Sequence, residues 1–416
     1  YHHRWFFRRN YFYKPSVVIS GDNLYLFFPR RVDKGSVKIV VRSVSIAKFD
    51  SVFKPRLLCS VPLPPPVHGS SLMCETLVNA PELRRRFDVD VLKMSTATSI
   101  DDIAKFRLRK VAGLALTYMK LAGRLLTRRY DICYLAVTCY GLGFLKDAPF
   151  VLLCKLFCRN VVLHQHNKGM DGCRRRFPYR FMLPWVYRHT SVILLSERLY
   201  PDIEAVVSHD RVRICPNGIA DLAPSGVKAG NGRPRLLFLS NLIPAKGVID
   251  MLDALSILKR EGRDCECIFA GNPSADIDEA RMASEIASRG LEDRVRYIGP
   301  VYGDAKDRLV EGCDLFVLPS HGECLPLVIL EAMRASRAVV ATDVGAIADL
   351  VEEGRSGLLC PSKDPRALAE AMGRLVADPE LRDAMGRRGR ENFAANFTVD
   401  AFTGRVIQIL SNTEYA

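Results

Sequence analysis

Two glutamates with seven residues between them form a pair that could bind a polar ligand. Glu323 lies just before a predicted helix that has Pro326 in its first turn, and Glu331 lies about two turns further on. The backbone amides of residues 322–325 would then surround a helix N-terminus, where phosphate binds readily. Carboxylates accept hydrogen bonds from hydroxyl groups. The pattern therefore predicts a ligand with phosphates at its centre and hydroxyl groups at both ends, such as a nucleotide sugar. The candidate ligand-binding residues of this loop are Gly322, Glu323, Cys324 and Leu325.

A second candidate loop follows the apolar run Arg235–Leu239 and contains Asn241 and Lys246. A helix predicted from Val248 places the Lys246 ammonium beside a helix N-terminus. An isolated lysine is usually a solvated surface charge. This one lies across a predicted switch point of a sheet from the Glu323 loop, which favours a role in binding the same ligand.

The first half of the chain also has polar loops after apolar runs. A proline-rich turn that follows Arg56–Val61 leads to Gly69, where the backbone can approach a ligand closely. A later strand ends at His164, and His166 and Lys168 follow it. Two histidines could bind a metal, but no third histidine or carboxylate follows at a matching spacing. We therefore favour hydrogen bonding to a substrate and expect no metal site.

Short apolar runs alternate with helical segments on both sides of a Gly/Pro-rich stretch. Strands that alternate with helices form parallel sheets covered on both faces, and ligands bind beyond the carboxyl ends of such strands. The sequence thus predicts an α/β protein with two Rossmann-like domains whose parallel sheets face each other across a cleft. The predicted strands are Arg56–Val61, Val89–Met94, Ile132–Val137, Val161–His164, Val192–Leu195 and Arg211–Ile214, then Arg235–Leu239, Glu266–Ala270, Arg294–Ile298, Leu315–Leu318, Ala338–Thr342 and Gly357–Cys360.

The same pattern divides the chain into segments. Residues 1–54 lack the strand–helix alternation, and we interpret them as an N-terminal extension that is either a small β-meander or not native. Residues 55–222 form the first Rossmann-like domain, 223–234 a linker and 235–395 the second Rossmann-like domain.

Four motifs in their expected order resemble the retaining glycosyltransferases of family 4, the glycosyl transferases group 1, which have the GT-B fold. The resemblance extends from about Lys54 to the C-terminus. It implies that the first domain binds the acceptor, that the second binds the donor, and that residues 396–416 form a helix that crosses back to the first domain. The motifs are His164–Gly169 (HxHNKG), Pro216–Ile219, Ser240–Gly247 and the Glu323/Glu331 pair.

The resemblance also implies roles for particular residues. Glu331 is expected to bind the ribose of the nucleotide, and Glu323 to lie near the donor sugar and its phosphates. Lys246 would pair with the pyrophosphate, and the turn at Gly69 would present backbone N–H groups to the phosphates. A histidine at the end of a first-domain strand would contact the transferred sugar. The candidate catalytic residues are accordingly His164, His166 and Glu323, with the choice between the two histidines left open.

The implied activity is transfer of a sugar from a nucleotide-diphosphate sugar to an acceptor with retention of anomeric configuration. The resemblance implies no metal cofactor. Asp88–Asp90 and Asp276–Asp278 have the DxD spacing of metal sites in another glycosyltransferase fold. The first begins a strand and the second opens a helix, so both are interpreted as structural.

One departure from the family concerns Asn241, since the family usually has Arg at this position. The loss removes a charge-assisted contact worth about 1.5–3 kcal/mol when desolvated. Either another basic residue (Lys168 or Arg174) supplies the charge, or the Asn241 amide is sufficient.

The charge of the chain is uneven. Its net charge is +14, and residues 1–200 carry 34 Lys/Arg against 13 Asp/Glu, whereas residues 201–416 carry 26 against 33. A basic first half suggests an anionic partner. Basic residues in a predicted helix within Asp101–Arg129, and the run Arg174–Arg180 with the aromatic helix after it, indicate peripheral contact with an anionic membrane. We expect a cytoplasmic enzyme, peripheral on the inner membrane face, with a saccharide or lipid-linked acceptor. No nucleic-acid-binding module is recognisable.

Two other functions remain open. A nucleotide-sugar epimerase of the same fold would need no acceptor, and a non-catalytic nucleotide-sugar-binding protein would fit the loss of charge at Asn241. A dehydrogenase is disfavoured because no complete GxGxxG follows a strand. The 13 cysteines include no CxxC, and we predict that they are reduced and buried.

Overall fold

The computed structural model describes residues 16–20, 23–33, 36–45, 54–94, 108–222 and 232–413. Near its N-terminus three consecutive strands form an antiparallel sheet in the order β1-β2-β3. Their bounds are β1 Ser16–Ser20, β2 Asn23–Asp33 and β3 Ser36–Ser45.

The first large domain contains a parallel sheet of six strands in the order β5-β4-β6-β7-β8-β9. The inner strands are almost wholly buried, as expected for a sheet covered by helices on both faces. The elements are β4 Arg56–Val61, α1 Gly69–Asn79, α2 Pro81–Arg86, β5 Asp88–Lys93, α3 Leu108–Thr127, β6 Ile132–Val137, α4 Gly141–Phe157, β7 Asn160–Gln165, α5 Met170–Cys173, α6 Tyr179–Tyr187, β8 Ser191–Leu194 and β9 Val212–Ile214.

The second domain repeats this construction with the strand order β12-β11-β10-β13-β14-β15. Its strand order reverses between β10 and β13, so the loops after these two strands lie next to each other at the carboxyl edge. The elements are β10 Arg235–Leu239, α7 Val248–Arg260, β11 Glu266–Ala270, α8 Glu279–Ser288, β12 Val295–Tyr297, α9 Gly303–Glu311, β13 Leu315–Leu318, α10 Leu327–Arg334, β14 Ala338–Thr342, α11 Ile347–Leu350, β15 Gly357–Cys360, α12 Pro365–Ala377 and α13 Pro379–Asn396.

The last helix, α14 (Val399–Thr413), packs against the first domain. Its side chains Phe402, Val406 and Leu410 are buried in the same apolar cluster as residues of β4 and α1. The chain reaches the first domain by a crossing in which the Ile219 N–H donates to the Phe397 carbonyl and the Val399 N–H donates to the Ile219 carbonyl.

The α/β architecture with two parallel six-stranded sheets confirms the predicted fold, and each predicted strand is present within one or two residues of its expected bounds. The helix that Asp276–Asp278 was expected to open begins at Glu279, where the Asp278 side chain accepts from the Arg281 N–H and caps it. Residues 223–231 of the predicted linker, and the start of the helix expected from Asp101, lie outside the described residues.

All 13 cysteines lie within the described residues, and all are free thiols, 11 of them buried. This confirms the prediction of reduced, buried cysteines. Among the described residues, no helix is both long and apolar enough to cross a bilayer.

Candidate active site between the two sheets

The site begins with two loops of the second domain, residues 240–247 after β10 and residues 319–326 after β13. The His321 N–H donates to the Ala245 carbonyl at 2.8 Å, which joins the loops directly. Gly247 has φ +72°, and a Cβ there would lie 2.0 Å from the Pro319 carbonyl oxygen. Only glycine allows the loops to approach so closely.

Lys246 and Glu323, each from one of these loops, form an ion pair. Lys246 Nζ lies 2.5 Å from Glu323 Oε1, and the Ser320 hydroxyl donates to the same oxygen at 2.8 Å. The Glu323 side chain is only 10% exposed. The structure therefore brings together the two charged residues that the sequence placed on separate loops, and each neutralises most of the charge of the other.

A third loop supports the backbone of Glu323. Gly345 follows β14 with φ +60°, and a Cβ there would lie 2.0 Å from the Glu323 carbonyl oxygen. The Ala346 N–H donates to the Cys324 carbonyl at 2.8 Å. The glutamate is thus held from both its side chain and its main chain.

Glu331 is buried in α10 and has one carboxylate oxygen free. Lys306 of α9 donates to Oε1 at 2.6 Å, whereas Oε2 is buried without a hydrogen-bond partner among the described residues. Burial raises the pKa of Glu331, and the charge of Lys306 opposes that rise. A buried acceptor without a donor is costly, so Oε2 is suited to accept a hydrogen bond from a ligand hydroxyl.

The prediction that Pro326 lies in the first turn of the helix after residues 322–325 is wrong by one residue. Pro326 has extended backbone angles (φ −73°, ψ 122°) and precedes α10, which begins at Leu327. Gly322, Cys324 and Leu325 therefore lie in the loop before the helix and not in its first turn. The Leu325 carbonyl accepts from Asn217 Nδ2 at 3.4 Å. Burial raises the pKa of Cys324 to about 11, so its thiol stays protonated at neutral pH.

The opposite wall contains histidines of the first domain. His164 lies in β7 and is fully buried, with Nδ1 2.6 Å from the Tyr134 hydroxyl. The His166 ring is 4.1 Å from the His164 ring, measured between centroids. His164 Nε2 and both ring nitrogens of His166 are buried without partners among the described residues.

These histidines are held neutral. Burial lowers the pKa of His166 to about 4, with a smaller contribution from the charge of His68. Burial also lowers the pKa of His164 and of His68. At neutral pH the rings can exchange hydrogen bonds with hydroxyl groups but carry no charge.

Gly69 and Lys168 of the first domain reach the second domain. A Cβ built on Gly69, the first residue of α1, would lie 3.8 Å from Leu327 Cδ1, and one built on Gly322 would lie 4.0 Å from Lys168 Cε. Arg174 instead pairs with Asp171 of its own domain at 2.7 Å.

Asn241 is exposed and takes part in a neutral network. Its Oδ1 accepts from Asn272 Nδ2 at 3.1 Å, and Asn272 Oδ1 accepts from the Tyr302 hydroxyl at 2.9 Å. Both hydrogen bonds join neutral groups, so this network brings no charge to Asn241.

Polar contacts made by two first-domain residues tie the domains together beside the site. Arg198, which follows β8, binds Asp343 Oδ1 at 2.6 Å and donates to the Gly345 carbonyl at 3.3 Å. Ser196 donates to the Asp349 carboxylate. The loop that supports Glu323 is therefore also held by the first domain.

The model of the family described as "Glycosyl transferases group 1" matches residues 224–392, the part of the chain that carries Lys246, Glu323 and Glu331. The second domain is a group 1 glycosyltransferase domain.

Similar proteins agree with this assignment. The chain is 36% identical over 169 residues to an alpha-D-kanosaminyltransferase of Streptomyces kanamyceticus, covering 41% of this chain and 43% of that protein. It is 30% identical over 214 residues to a phosphatidyl-myo-inositol mannosyltransferase of Mycobacterium leprae, covering 50% and 55%. The chain thus spans about half the length of these curated relatives.

Solved structures show the fold over a larger part of the chain. Anabaena Alr3699/HepE in complex with UDP has a TM-score of 0.67 at 18% identity, covering 86% of this chain and all of that one. Sucrose-phosphate synthase from Thermosynechococcus elongatus has a TM-score of 0.65 at 18% identity, covering 86% and 98%. Together with the two parallel sheets, these neighbours confirm the predicted GT-B fold.

Sequence reasoning missed three residues of this candidate site: Lys306, Tyr134 and His68. Tyr134 has a weak signal, because a tyrosine inside the apolar strand Ile132–Val137 needs a partner for its hydroxyl. His68 also has a weak sequence signal, because it directly precedes Gly69. In the structure it caps α1 by accepting from the Ser71 N–H. Lys306 has none, because nothing in its spacing links it to Glu331.

Proposed function

We propose that the protein transfers a sugar from a nucleotide-diphosphate sugar to a saccharide or lipid-linked acceptor, with retention of anomeric configuration. The observation that carries the proposal is the free, buried Oε2 of Glu331 in a group 1 domain whose neighbouring loops hold the Lys246–Glu323 pair. The domain therefore offers one ligand two groups, a carboxylate oxygen of Glu331 that can accept a hydrogen bond from a hydroxyl and the ammonium of Lys246. A nucleotide sugar has groups that match both.

The charges of the site suit departure of a nucleoside diphosphate. As the bond from the anomeric carbon to the diphosphate oxygen breaks, negative charge develops on the phosphates. Lys246 and the backbone amides of the loops at the carboxyl edge would stabilise that charge. We propose that no metal ion is required for this step.

The uncharged histidines suit the sugar side of the reaction. The acceptor oxygen forms the new bond on the face that the diphosphate leaves, and its proton passes to the leaving phosphate, so that configuration is retained. His164 and His166 are neutral and have buried nitrogens without partners in the part of the chain that the structure describes, so they can bind sugar hydroxyls without repelling positive charge at the anomeric carbon. Tyr134 fixes the His164 ring through Nδ1.

The first test is a panel of UDP-, GDP- and ADP-sugars in a thermal unfolding assay. A bound donor stabilises the fold by about 2.7 kcal/mol at a hundredfold excess over its Kd. We expect one nucleobase class to raise the melting temperature and Glu331→Gln to reduce the rise. If no member of the panel stabilises the protein, the proposed donor site is wrong.

The second test follows the products made from the donor that binds. Transfer of the sugar to an added saccharide or lipid-linked acceptor, with the α- or β-configuration of the donor kept, supports the proposal. Conversion of the donor to an isomer in the absence of an acceptor would instead indicate an epimerase, and binding without any turnover would indicate a binding protein.

We further propose that the first domain contacts an anionic membrane through α6. Phe177, Phe181 and Trp185 are 80%, 54% and 70% exposed along this helix and the turn before it. Residues 174–188 contain five arginines and no acidic residue, and Arg180 lies over the Phe181 ring at 4.5 Å. Aromatic side chains beside basic ones suit the headgroup region of an anionic bilayer, where each basic residue contributes about 1 kcal/mol.

The end of α4 extends this surface. Lys155 donates to the carbonyls of Trp185 and Arg188, and the next residues, Leu156 and Phe157, are 77% and 44% exposed. By contrast, Arg124 and Arg128 of the basic region at α3 pair with Asp90 of the protein itself. The structure therefore favours α6 over the α3 region as the contact.

Sedimentation with vesicles tests this surface. We expect the protein to sediment with vesicles that contain phosphatidylglycerol but not with pure phosphatidylcholine, and the Phe181→Ser/Trp185→Ser variant to stay in the supernatant. The matched control is Leu116→Ser/Met119→Ser in α3, where both side chains are also exposed. A loss of sedimentation in the control alone would assign the contact to α3.

A further inference from the structure

The charges of the donor site leave little positive charge for a diphosphate. Each lysine of the second-domain site is already paired with a carboxylate, Lys246 with Glu323 at 2.5 Å and Lys306 with Glu331 at 2.6 Å. Asn241 adds no charge. A bound nucleoside diphosphate brings negative charge that these neutral pairs do not balance, so a further cation is needed.

Lys168 of the first domain faces the loop that would hold the diphosphate. A Cβ added to Gly322 would lie 4.0 Å from Lys168 Cε, the carbon that bears the ammonium. The positive charges of Lys168 and Lys246 both act on the Cys324 thiol, lowering its pKa against the larger effect of burial. Two cations from opposite domains therefore act on the same short segment of the loop.

The backbone around Lys168 is fixed in place. Asp202 accepts hydrogen bonds from the N–H groups of Gly169 and Met170 at 2.9 and 3.0 Å. On the other side, Asn167 Oδ1 accepts from the Cys139 N–H at 3.2 Å. Lys168 itself is exposed and has no ion pair with any of the described residues. The backbone that carries Lys168 is thus held in place, and its ammonium is not paired with a carboxylate of the described residues.

We propose that Lys168 binds the diphosphate of the donor from across the cleft. The proposal rests on the proposed donor site in the second domain and adds a ligand from the first. It follows that the diphosphate, and not the nucleoside, connects the two domains, because only the diphosphate contacts charges on both sides.

The test compares Lys168→Gln with the wild type in titrations with UDP, GDP and ADP and with the corresponding nucleosides. We expect the affinity for the preferred diphosphate to fall about ten- to a hundredfold in the variant, as for loss of a charge-assisted contact. The affinity for the matching nucleoside should not change. Lys168→Arg, which keeps the charge, should retain most of the diphosphate affinity.

Arg174→Gln is the matched control, because Arg174 is a nearby cation that already pairs with Asp171. It should leave the diphosphate affinity unchanged. Lys168→Gln with wild-type affinity for the diphosphate, or with an equal loss for the nucleoside, would overturn the role of Lys168 while leaving the donor site intact. A wild-type protein that binds none of the three diphosphates would overturn the donor site and this inference together.

Discussion

The two walls of the cleft differ in the charge of the side chains that line them. The wall of the second domain contains two lysine–carboxylate pairs, Lys246–Glu323 and Lys306–Glu331. The wall of the first domain contains His164 and His166, which burial keeps uncharged and whose nitrogens include three without partners among the described residues. The second-domain wall therefore carries paired charges, whereas the two histidines of the first-domain wall are neutral.

The difference indicates how the two walls share the proposed reaction, with the paired charges of one wall interacting with the phosphates and the neutral rings of the other binding the sugar. Paired charges hold their positions when no ligand is bound and can still interact with phosphates, since a lysine has three donors and a carboxylate several acceptor sites. Neutral rings can bind a sugar without favouring either sign of charge at the reacting carbon. The comparison predicts that variants of the two walls will respond differently to phosphate charge and to pH.

Lys246→Ala should have the largest effect. It removes a cation and leaves the Glu323 carboxylate unpaired beside the phosphates, so we expect about a hundredfold loss of nucleoside diphosphate affinity, measured by titration calorimetry. Lys246→Ala/Glu323→Gln, which also removes the unpaired charge, should recover part of the loss. If the double variant binds no better than the single one, the ion pair is not the source of the effect.

His166→Gln should change how stability depends on pH. The pKa of His166 is about 4 in the folded protein and about 6.5 when unfolded, so the unfolded state binds more protons between these values. Wild-type stability should therefore fall as pH drops from about 6.5 to about 4, and the variant should lose about 2–3 kcal/mol less over that range.

Thermal unfolding at several pH values measures this difference. His209→Gln is the control, because His209 is an exposed histidine that pairs with Glu197. Identical pH profiles for the wild type and His166→Gln would mean that His166 is not held neutral.

Lys306→Met should move the pH dependence of donor binding. Burial already raises the pKa of Glu331, and removal of Lys306 should raise it further, so the carboxylate becomes protonated at a higher pH. We expect the fall in diphosphate affinity on acidification to begin at a higher pH, with Lys306→Arg close to the wild type. An unchanged midpoint would show that Lys306 does not tune the glutamate.

Asn241→Ala should have the smallest effect. The Asn241 side chain is exposed and its carbonyl oxygen already accepts from Asn272, so we expect less than about a threefold loss of diphosphate affinity. A loss as large as that of Lys246→Ala would contradict the assignment of Lys246 as the main phosphate ligand.

The sequence predicts the framework well because local patterns determine it. The strands and the order of the loops between them follow from the spacing of apolar residues. The turn before Gly69 follows from its prolines. The sequence predicts the start of α10 one residue too early, at Pro326. A proline fits both the first turn of a helix and the extended residue before it. Such a choice depends on the packing of the loop.

Pairings between distant segments could not be predicted. Lys306 meets Glu331 only because α9 packs beside α10, and Lys168 faces Gly322 only because the two domains close on each other. Neither contact leaves a periodic signal in one sequence. Candidate residues could be found from their types and positions after strands, but not which of them meet.

The return of α14 to the first domain has a consequence for synthesis. The ribosome releases residues 54–222 long before Phe402, Val406 and Leu410, yet these three side chains complete an apolar cluster of that domain. Until α14 has been synthesised, the apolar surface of the first domain that these side chains cover stays exposed to solvent. We expect residues 54–222 expressed alone to aggregate, and to be rescued when a peptide spanning residues 396–416 is supplied.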